Sequence, residues 1–289
     1  MVGSPGQFFL RSLLLLGLVL VSTLPAACSL AVNADRVQCK TKADCTSRGG
    51  LFSNAVCSNS VCQVDPTWAC LTTPAATSMQ SAPYQISLGL RDLITQTPVS
   101  GAQVRLCHKI DVDCAAPVST ATSDSAGDVT FSVDAPTAAG YVTVQADGYV
   151  QTLYFFNPPI DHDQTIPPIS LASPTANAGL IFQLGSQPVA GHGSIVVSSA
   201  DCTGAPAASV SYSTPNGDGA TTAFYTVGSL PETTATATDA GGYGGLINVP
   251  AGAATLTATL ISPHAALGTI SMLVRDGAIT YSRVVPLGD

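Results

Sequence analysis

The side chains of this sequence that could do chemistry are four histidines, a set of aspartates and nine cysteines. A zinc site needs several imidazole or thiolate ligands at short spacing. The histidines are widely separated, and none lies in an HExxH motif or beside a close cysteine pair: His108, His162, His192 and His264. The most metal-like clusters are Asp161-His162-Asp163 and the pair Asp111 and Asp113. Hard cations need several oxygens arranged in space, so we interpret both as polar loops and expect no metal and no cofactor.

Motifs for nucleophilic or nucleotide chemistry are not found in the sequence either. It contains no Gly-x-Ser-x-Gly elbow, no P-loop and no dinucleotide-binding glycine pattern. Asp124 and Asp239 could be considered as an acid pair, but each belongs to a separate turn. The sequence therefore predicts that the protein is not an enzyme and has no catalytic residue.

These two aspartates lie in a turn motif that occurs twice, as Ser/Thr-Asp-x-x-Gly before an extended apolar run. The copies are Ser123-Asp124-Ser125-Ala126-Gly127 and Thr238-Asp239-Ala240-Gly241-Gly242. An aspartate shortly before a glycine caps backbone N–H groups, while the glycine adopts a positive φ. Asp124, Gly127, Asp239 and Gly242 are therefore predicted to be structural turn residues that lead into strands.

The composition favours short strands and many turns. Of 289 residues, 10% are charged, against about 25% in an average soluble protein. The sequence has 26 glycines and 20 prolines, whereas amphipathic helices need Glu, Lys, Arg and Leu. The net charge of −8, with no basic cluster, argues against a nucleic-acid partner and against electrostatic docking on anionic lipid.

The N-terminus has the pattern of an export signal. Arg11 precedes an apolar run over residues 12–21, which suits a signal peptide and is short for a transmembrane helix. The following Leu24-Pro25-Ala26-Ala27-Cys28 resembles a bacterial lipobox, although Pro25 stands where that pattern prefers leucine. We expect a signal peptide over 1–27 and lipidation of Cys28, which would hold the protein on the outer membrane or cell surface. The alternative is ordinary secretory cleavage, with Cys28 as a disulfide partner.

Cysteine counting supports lipidation of Cys28, because it leaves an even number of thiols for an oxidising compartment. The segment 28–72 has too few apolar residues for a core of its own, so disulfides are expected to staple it. A zinc site is the alternative, but no CxxC occurs there. We favour Cys39–Cys57 and Cys45–Cys62, and a bridge closing a small loop between Cys107 and Cys114. Cys70 and Cys202 have no near neighbour and suggest a bridge between segments. The eight disulfide candidates are Cys39, Cys45, Cys57, Cys62, Cys70, Cys107, Cys114 and Cys202.

The remaining chain divides into β-rich segments. After a linker over 73–83, period-two alternation such as Tyr84, Ile86, Leu88 and Leu90 predicts a first β-sandwich domain over 84–172. A connector over 173–193 contains one short helix, with Ser-Pro at its start and Gly185 at its end. A second β-sandwich domain is predicted over 194–289. Within it, Asp276-Gly277 between two alternating runs predicts a C-terminal hairpin.

The motif order resembles the carboxypeptidase regulatory-like domain, a transthyretin-like sandwich. The matching residues are the segment Pro98–Val104, then Thr122–Gly127, then Gly148-Tyr149. In the second domain Ala205–Val210 is a degenerate copy, with Ala208-Ser209 standing where the first copy has Gly101-Ala102. The resemblance covers about 70 residues and implies a structural or adhesive accessory domain without an active site. The predicted fold class is all-β, with two tandem Ig-like or transthyretin-like β-sandwiches after a small disulfide-rich module.

Two isolated aromatic features were weighed. Trp68, the one tryptophan, is interpreted as a packing anchor rather than a ligand platform. The densest aromatic group contains two adjacent phenylalanines that cannot face the same core, so one of them is available to bind a carbohydrate or protein. The group is Tyr149, Tyr154, Phe155 and Phe156.

The function expected from these patterns is that of a non-catalytic cell-surface lipoprotein, whose β-sandwich domains act as spacers or adhesion modules. The expected partners are the membrane, through the N-terminal lipid, and a surface protein or glycan. Two alternatives remain open: a secreted carbohydrate- or peptide-binding protein, and the accessory subunit of an envelope hydrolase.

Overall fold

The computed structural model describes residues 37–49, 52, 55–64, 66–71, 83–134, 139–261 and 265–286. The predicted signal peptide, Cys28 and all but the last residue of the predicted linker lie outside these ranges. The all-β prediction is confirmed: the described residues form seventeen strands and two α-helices. No helix among them has both the length and the apolar character needed to cross a membrane.

The cysteine-rich module is a short helix packed on a hairpin. Helix α1, Lys42–Thr46, begins with a capping box in which Thr41 and Asp44 each bind the other's backbone N–H. Strands β1, Ala55–Ser58, and β2, Val61–Val64, pair antiparallel, and a 3-10 helix follows over Pro66–Leu71. The hairpin turn residues Asn59 and Ser60 both have positive φ, as a two-residue hairpin turn requires.

The first repeat has seven strands in two sheets. One sheet has the order β6-β3-β9, and the other contains β5-β4-β7-β8. The predicted alternation is present in β3, because Tyr84, Ile86, Leu88 and Leu90 are all buried. The strands are β3 Tyr84–Asp92, β4 Gln103–His108, β5 Ser119–Thr122, β6 Asp128–Val133, β7 Gly140–Gln145, β8 Thr152–Phe155 and β9 Gln164–Leu171.

The second repeat has eight strands. Its sheets are β13-β12-β14-β10-β17 and β11-β15-β16. The strands are β10 His192–Ser199, β11 Val210–Ser213, β12 Thr222–Val227, β13 Leu230–Glu232, β14 Tyr243–Pro250, β15 Gly252–Leu260, β16 Ala266–Val274 and β17 Ile279–Val284.

Strand pairing shows that the two repeats are equivalent. In the first, β3 pairs antiparallel with β6 and parallel with β9, while β7 pairs with β4 and β8. In the second, β10 pairs antiparallel with β14 and parallel with β17, while β15 pairs with β11 and β16. Strands β9 and β8 of the first repeat therefore correspond to β17 and β16 of the second.

One nine-stranded sheet runs through both repeats. Strand β17 lies between β10 and β8 and is parallel to both, with Ser282 opposite Val197 on one side and Phe155 on the other. The Ser282 hydroxyl also donates to the Phe155 carbonyl at 3.0 Å. The predicted sandwiches thus do not meet only through side chains: they share a hydrogen-bonded sheet, in the order β13-β12-β14-β10-β17-β8-β7-β4-β5.

Both faces of this sheet are covered. The sheet β11-β15-β16 covers one face, in a core that joins Ile195, Leu256 and Met272 of the second repeat to Tyr141 and Phe155 of the first. On the opposite face, β6-β3-β9 packs over the strands of the first repeat. Helix α2, Pro174–Gln183, packs there over the second, where its Ile181 contacts Phe224 and Ile247.

The helix has the predicted place and ends. Ser173 is its N-cap and accepts a hydrogen bond from the Ala176 N–H at 3.2 Å, and Pro174 is the first helical residue. The chain leaves the helix through Gly185, whose φ is 74°. The observed bounds fall within the predicted connector.

The predicted C-terminal hairpin is wrong. Asp276-Gly277 does make a tight turn, but β16 before it and β17 after it lie in different sheets. Ile270, Met272 and Val274 of β16 and Val284 of β17 are buried in the same core from opposite sides. The turn therefore carries the chain across the core, because β17 fills the slot between β10 and β8 instead of pairing with β16.

Candidate functional site

The two turn aspartates are used by the backbone of their own turns. Asp124 Oδ1 accepts from the N–H groups of Ala126 at 2.8 Å and Asp128 at 2.9 Å. Asp239 accepts from Gly228 at 2.9 Å and Gly241 at 2.8 Å, and these bonds lower the pKa of its carboxyl group. The structure places the two carboxylates in separate, equivalent turns, where each has a capping role.

The residue before each aspartate is a buried hydroxyl that links two segments. Ser123 Oγ donates to the Val99 carbonyl at 2.8 Å and accepts from the Ala102 N–H at 2.9 Å. Thr238 Oγ1 makes the same two bonds, donating to Ala207 at 2.7 Å and accepting from Val210 at 3.0 Å. The repeated motif is therefore a structural clamp on the segment that leads into β4 or β11.

The equivalent bonds correct the predicted alignment of the second copy. Ser209 donates its N–H to Thr238 as Gly101 does to Ser123, so Ser209 corresponds to Gly101 and Val210 to Ala102. The prediction had placed Ala208-Ser209 at these positions, which is one residue too early. Its cause is that Ser209 keeps the left-handed conformation, with a φ of 64° against 76° at Gly101, without being a glycine.

The eight candidate cysteines form four disulfides. The module contains Cys39–Cys57 and Cys45–Cys62, which is the pairing favoured from spacing. The sulfurs of Cys39, Cys45 and Cys62 lie within 4.8 Å of one another, as metal ligands would. Each is already bonded to another sulfur, so this cluster offers no thiolate for zinc.

A third disulfide, Cys70–Cys202, links the cysteine-rich module to the second repeat. The Cys202 N–H donates to the Thr67 carbonyl at 3.0 Å, and Trp68 and Leu71 pack against the core of the second repeat. Trp68 is thus a packing residue. The module is fixed to the repeat that is farther along the chain, and the bridge encloses the whole first repeat.

The fourth disulfide, Cys107–Cys114, closes a loop between β4 and β5. Asp111 organises the loop: its carboxylate accepts from Ala115 at 3.0 Å and Ala116 at 2.9 Å, which lowers its pKa. The Tyr141 hydroxyl donates to the Asp111 carbonyl at 2.7 Å. At the tip of this loop the Ile110 side chain is 91% exposed. The acidic pair thus holds a loop in shape.

The three described histidines do not come together as a site. His162 Nδ1 lies 2.6 Å from Asp161 Oδ1, while Asp163 accepts from the Gln85 N–H at 2.7 Å. The ring of His192 has two oxygen neighbours, Asp218 Oδ2 at 2.9 Å from Nε2 and the Ala190 carbonyl at 3.0 Å from Nδ1. Only an imidazolium can donate to both, so the pKa of His192 is raised. His264 lies outside the described residues.

The aromatic group is buried, which differs from the expectation of an exposed member. Phe155 stacks on Tyr141 with ring centroids 4.7 Å apart, in the core under β11-β15-β16. Phe156 and Tyr154 face the core of the first repeat, and burial raises the pKa of Tyr154 to about 12. Two adjacent phenylalanines can both be buried because the shared sheet is covered on both faces. This group therefore forms no surface platform for a glycan.

Asn248 is a residue that the sequence does not single out. It is buried with a φ of 51° and ties the connector to β14. Its Nδ2 donates to Ser186 Oγ at 3.0 Å and to the Gln187 carbonyl at 2.9 Å, while Oδ1 accepts from the Val189 N–H at 3.3 Å. A buried asparagine in an otherwise apolar run is the signal that could have indicated this role.

The most apolar cavity lies beneath helix α2. It has a volume of about 240 Å³, and its walls include Leu180, Leu184, Phe224, Ile247 and Tyr281. A second cavity of about 330 Å³ lies beside β16, where Ser271, Met272 and Leu273 face Tyr141 and Phe155. Neither cavity brings together a nucleophile, a base and an oxyanion donor among the residues that the structure describes.

Comparison with known proteins gives no family assignment. No family model matches the chain, and no curated protein matches it. Solved structures that resemble it include the Bacillus anthracis TIE protein, with 11% identity, a TM-score of 0.23, and coverage of 71% of this chain and 34% of that one. The shaft pilin SpaA from Lactobacillus rhamnosus GG has 12% identity and a TM-score of 0.23, covering 72% of this chain and 99% of the pilin. A streptococcal ancillary pilin has 10% identity and a TM-score of 0.21, covering 71% and 63%.

At these TM-scores the similarities carry no argument about the function of the chain. This chain spans about a third of the length of the TIE protein. The conclusions below therefore depend on the residues and geometry of the chain itself.

Proposed function

We propose that this chain is an exported, non-catalytic surface protein, anchored by acyl groups on Cys28, whose β-sandwich domains act as a spacer or adhesion module. In this proposal residues 1–27 are removed on export and residues 28–72 tether the protein. The resemblance to carboxypeptidase regulatory-like domains is part of the same proposal, with domains over 84–172 and 194–289.

The observation that carries the proposal is the shared nine-stranded sheet. Two sandwiches joined by a flexible linker would move independently, since interfaces between domains are usually small. Here β17 and β8 are hydrogen-bonded along their length, and Cys70–Cys202 fixes the cysteine-rich module to the same body. A rigid body of this kind suits a protein that holds something at a distance from a surface.

The disulfides support export to an oxidising compartment. Four bridges use all eight described cysteines, and such bridges persist outside the cytosol. The titratable groups considered for catalysis are hydrogen-bonded within their own turns, as Asp111, Asp124 and Asp239 are. These contacts support structural roles for them.

The first test is the intact mass of the protein extracted from membranes, before and after reduction. We expect a chain that begins at Cys28 and carries acyl groups. Each of the four disulfides takes up two hydrogens, so reduction should add the mass of eight. An unmodified chain in the medium would contradict lipid anchoring and favour the secreted binding protein.

A matched pair of variants separates anchoring from folding. Cys28→Ala should move the protein from the membrane to the soluble fraction, because a protein without acyl chains loses its stable anchor. Cys202→Ala, which removes a disulfide instead, should leave it on the membrane. Release of both variants, or of neither, would contradict the proposal. Stoichiometric co-purification of a peptidase or glycosidase would favour the hydrolase subunit.

A further inference from the structure

The outer edges of the three large sheets differ in how well they are protected. An exposed edge strand invites pairing with another chain, and proteins block it with short strands, prolines or charged residues. Five of the six edge strands described have such a feature: β5 and β11 are four residues long, β13 contains Pro231 and Glu232, β9 contains Pro167 and Pro168, and β6 lies between Asp128 and Asp134.

Strand β16 is the exception. It is nine residues long, Ala-Leu-Gly-Thr-Ile-Ser-Met-Leu-Val, without proline or charge. One side pairs with β15, and no strand among the described residues pairs with the other. A bulge beside Gly268 disturbs the first part, which leaves residues 269–274 as a regular edge of β-forming residues.

The equivalent edge of the first repeat is filled. Strand β8 corresponds to β16, and β17 is added to it in parallel over Thr152 to Phe155. Strand β9, which corresponds to β17, cannot make the same contact because Pro167 and Pro168 interrupt it with residues that lack an N–H. The fold thus blocks one of the two corresponding edges and leaves the other open.

The surroundings of β16 favour an extended segment over a folded partner. Strand β16 packs over β17 and β10, so the next position outward lies above β8 and β7. There the cavity of about 330 Å³ is lined by Met272, Tyr141, Phe155 and Val112, with Lys109 at its edge. Alternate side chains of an added strand could enter this apolar space.

A second copy of the chain does not fit this position. Antiparallel pairing of two β16 strands would place both nine-stranded sheets in one layer, on the same side of the joined strands. Each sheet continues past β16 by β8, β7, β4 and β5, which is about 19 Å at ordinary strand spacing. The two sheets would therefore overlap. A single strand needs only one strand position.

We propose that the edge of β16 over residues 269–274 is a binding site for an extended, apolar peptide segment of a partner protein, which adds as a strand next to β16. The backbone of the segment would pair with β16, and its alternate apolar side chains would fill the cavity beside Met272. This inference goes beyond the proposed surface role and does not depend on lipidation of Cys28.

The test uses a peptide with the sequence of residues 278–286, which contains the strand that fills the equivalent position in the first repeat. We expect saturable binding of the labelled peptide to the full protein in fluorescence anisotropy, and slower hydrogen exchange at the amides of residues 269–274. A peptide of the same composition in scrambled order should not bind. Absence of saturable binding up to about 1 mM, or protection at another site, would overturn the proposal.

Lysine variants give the matched control. Thr269 and Ser271 are exposed on the solvent face of β16, so Thr269→Lys with Ser271→Lys should block the edge without disturbing the core, and weaken binding about tenfold or more. Thr257→Lys with Thr255→Lys places the same charges opposite them on β15, one strand inward. This control should bind within about twofold of wild type. Equal effects of the two pairs would contradict the edge site.

Self-association is measured on the same samples. A dimer whose formation slows exchange at residues 269–274, and which the edge variant abolishes, would show that a second copy occupies the site. That result would overturn the choice of a peptide segment. A wild-type protein that stays monomeric at all concentrations used supports it.

Discussion

The repeated turn motif is conserved between the two repeats in its contacts rather than in its letters. Gly127 and Gly242 have φ values of 76° and 72°, and a Cβ atom at either would lie close to a backbone oxygen. That distance would be 2.5 Å to Leu90 at Gly127 and 2.7 Å to Ser199 at Gly242. Glycine is required there for space as well as for conformation.

Gly127→Ala and Gly101→Ala separate these two requirements. Both residues have a φ of 76°, but a Cβ at Gly101 would meet nothing within 4 Å. We expect Gly101→Ala to cost about 1 kcal/mol of unfolding free energy, the cost of a left-handed alanine. Gly127→Ala must also displace the backbone of Leu90 and should cost about 3 kcal/mol or more. Urea denaturation measures both, and equal losses would show that space does not matter at Gly127.

The pair His192 and Asp218 predicts a pH dependence of stability. The bond to Asp218, followed by that to the Ala190 carbonyl, raises the pKa of His192 above 6.5, and His192 in turn lowers the pKa of Asp218 below 3.8. The histidine contribution is complete below its unfolded pKa and is lost as the pH rises through the folded value. The aspartate contribution is complete above its unfolded pKa and is lost as the pH falls through the folded value.

His192→Gln should therefore lower the unfolding free energy more at about pH 5.5 than at about pH 9. Denaturant titrations of wild type and variant at the two pH values measure the difference. His108→Gln, a change at an exposed histidine of the 107–114 loop, is the control and should show a smaller pH-dependent difference. A loss for His192→Gln that is the same at both pH values would contradict a charged pair.

At the scale of elements, local signals predicted local structure. Alternation in β3, the Ser-Pro start of α2 and the Asp-x-x-Gly turns depend on residues within a few positions of one another, and the structure has all of them. The strand that follows Asp276-Gly277 was assigned to the wrong partner. A hairpin and a crossing between sheets need the same turn, and the choice depends on a distant slot between β10 and β8.

The same limit applies to the candidate sites. Spacing indicated Cys39–Cys57 and Cys45–Cys62 because each pair lies within one small module, whereas the partner of Cys70 is 132 residues away. The burial of Phe155 and Phe156 on opposite faces could not be predicted, since it requires the parallel pairing of β17 with β8. Parallel pairing between distant segments leaves no local pattern in the sequence.

The two bridges of the β-rich region should differ in their effect on stability. Cys70–Cys202 spans 132 residues and Cys107–Cys114 spans 7. On chain entropy alone, replacing both cysteines by alanine should cost about 5 kcal/mol for the long bridge and about 2.5 kcal/mol for the short one. Urea denaturation followed by far-UV circular dichroism compares them. A larger loss for the short bridge would show that the constraint on the unfolded chain is not the main effect.

At the scale of the whole molecule, the shared sheet implies that the two repeats unfold together. Residues of the first repeat, among them Tyr141 and Phe155, belong to the same core as Leu256 of the second. Loss of the first repeat would expose this core and leave the outer edge of β17 without its partner. The cysteine-rich module should follow, because Trp68 packs against the same core.

Trp68 makes this cooperativity measurable, as the one tryptophan of the chain reports on the second repeat. Phe131 is buried in the core of the first repeat, and Phe131→Ala should cost about 3–5 kcal/mol. If the sheet couples the repeats, this variant lowers the urea midpoint of the Trp68 fluorescence transition. Leu256→Ala, in the second repeat, lowers it whether or not the repeats are coupled, and so serves as the control. A Trp68 midpoint that stays at the wild-type value in Phe131→Ala but falls in Leu256→Ala would show that the sandwiches unfold independently, and the shared sheet would then not make the molecule a rigid body.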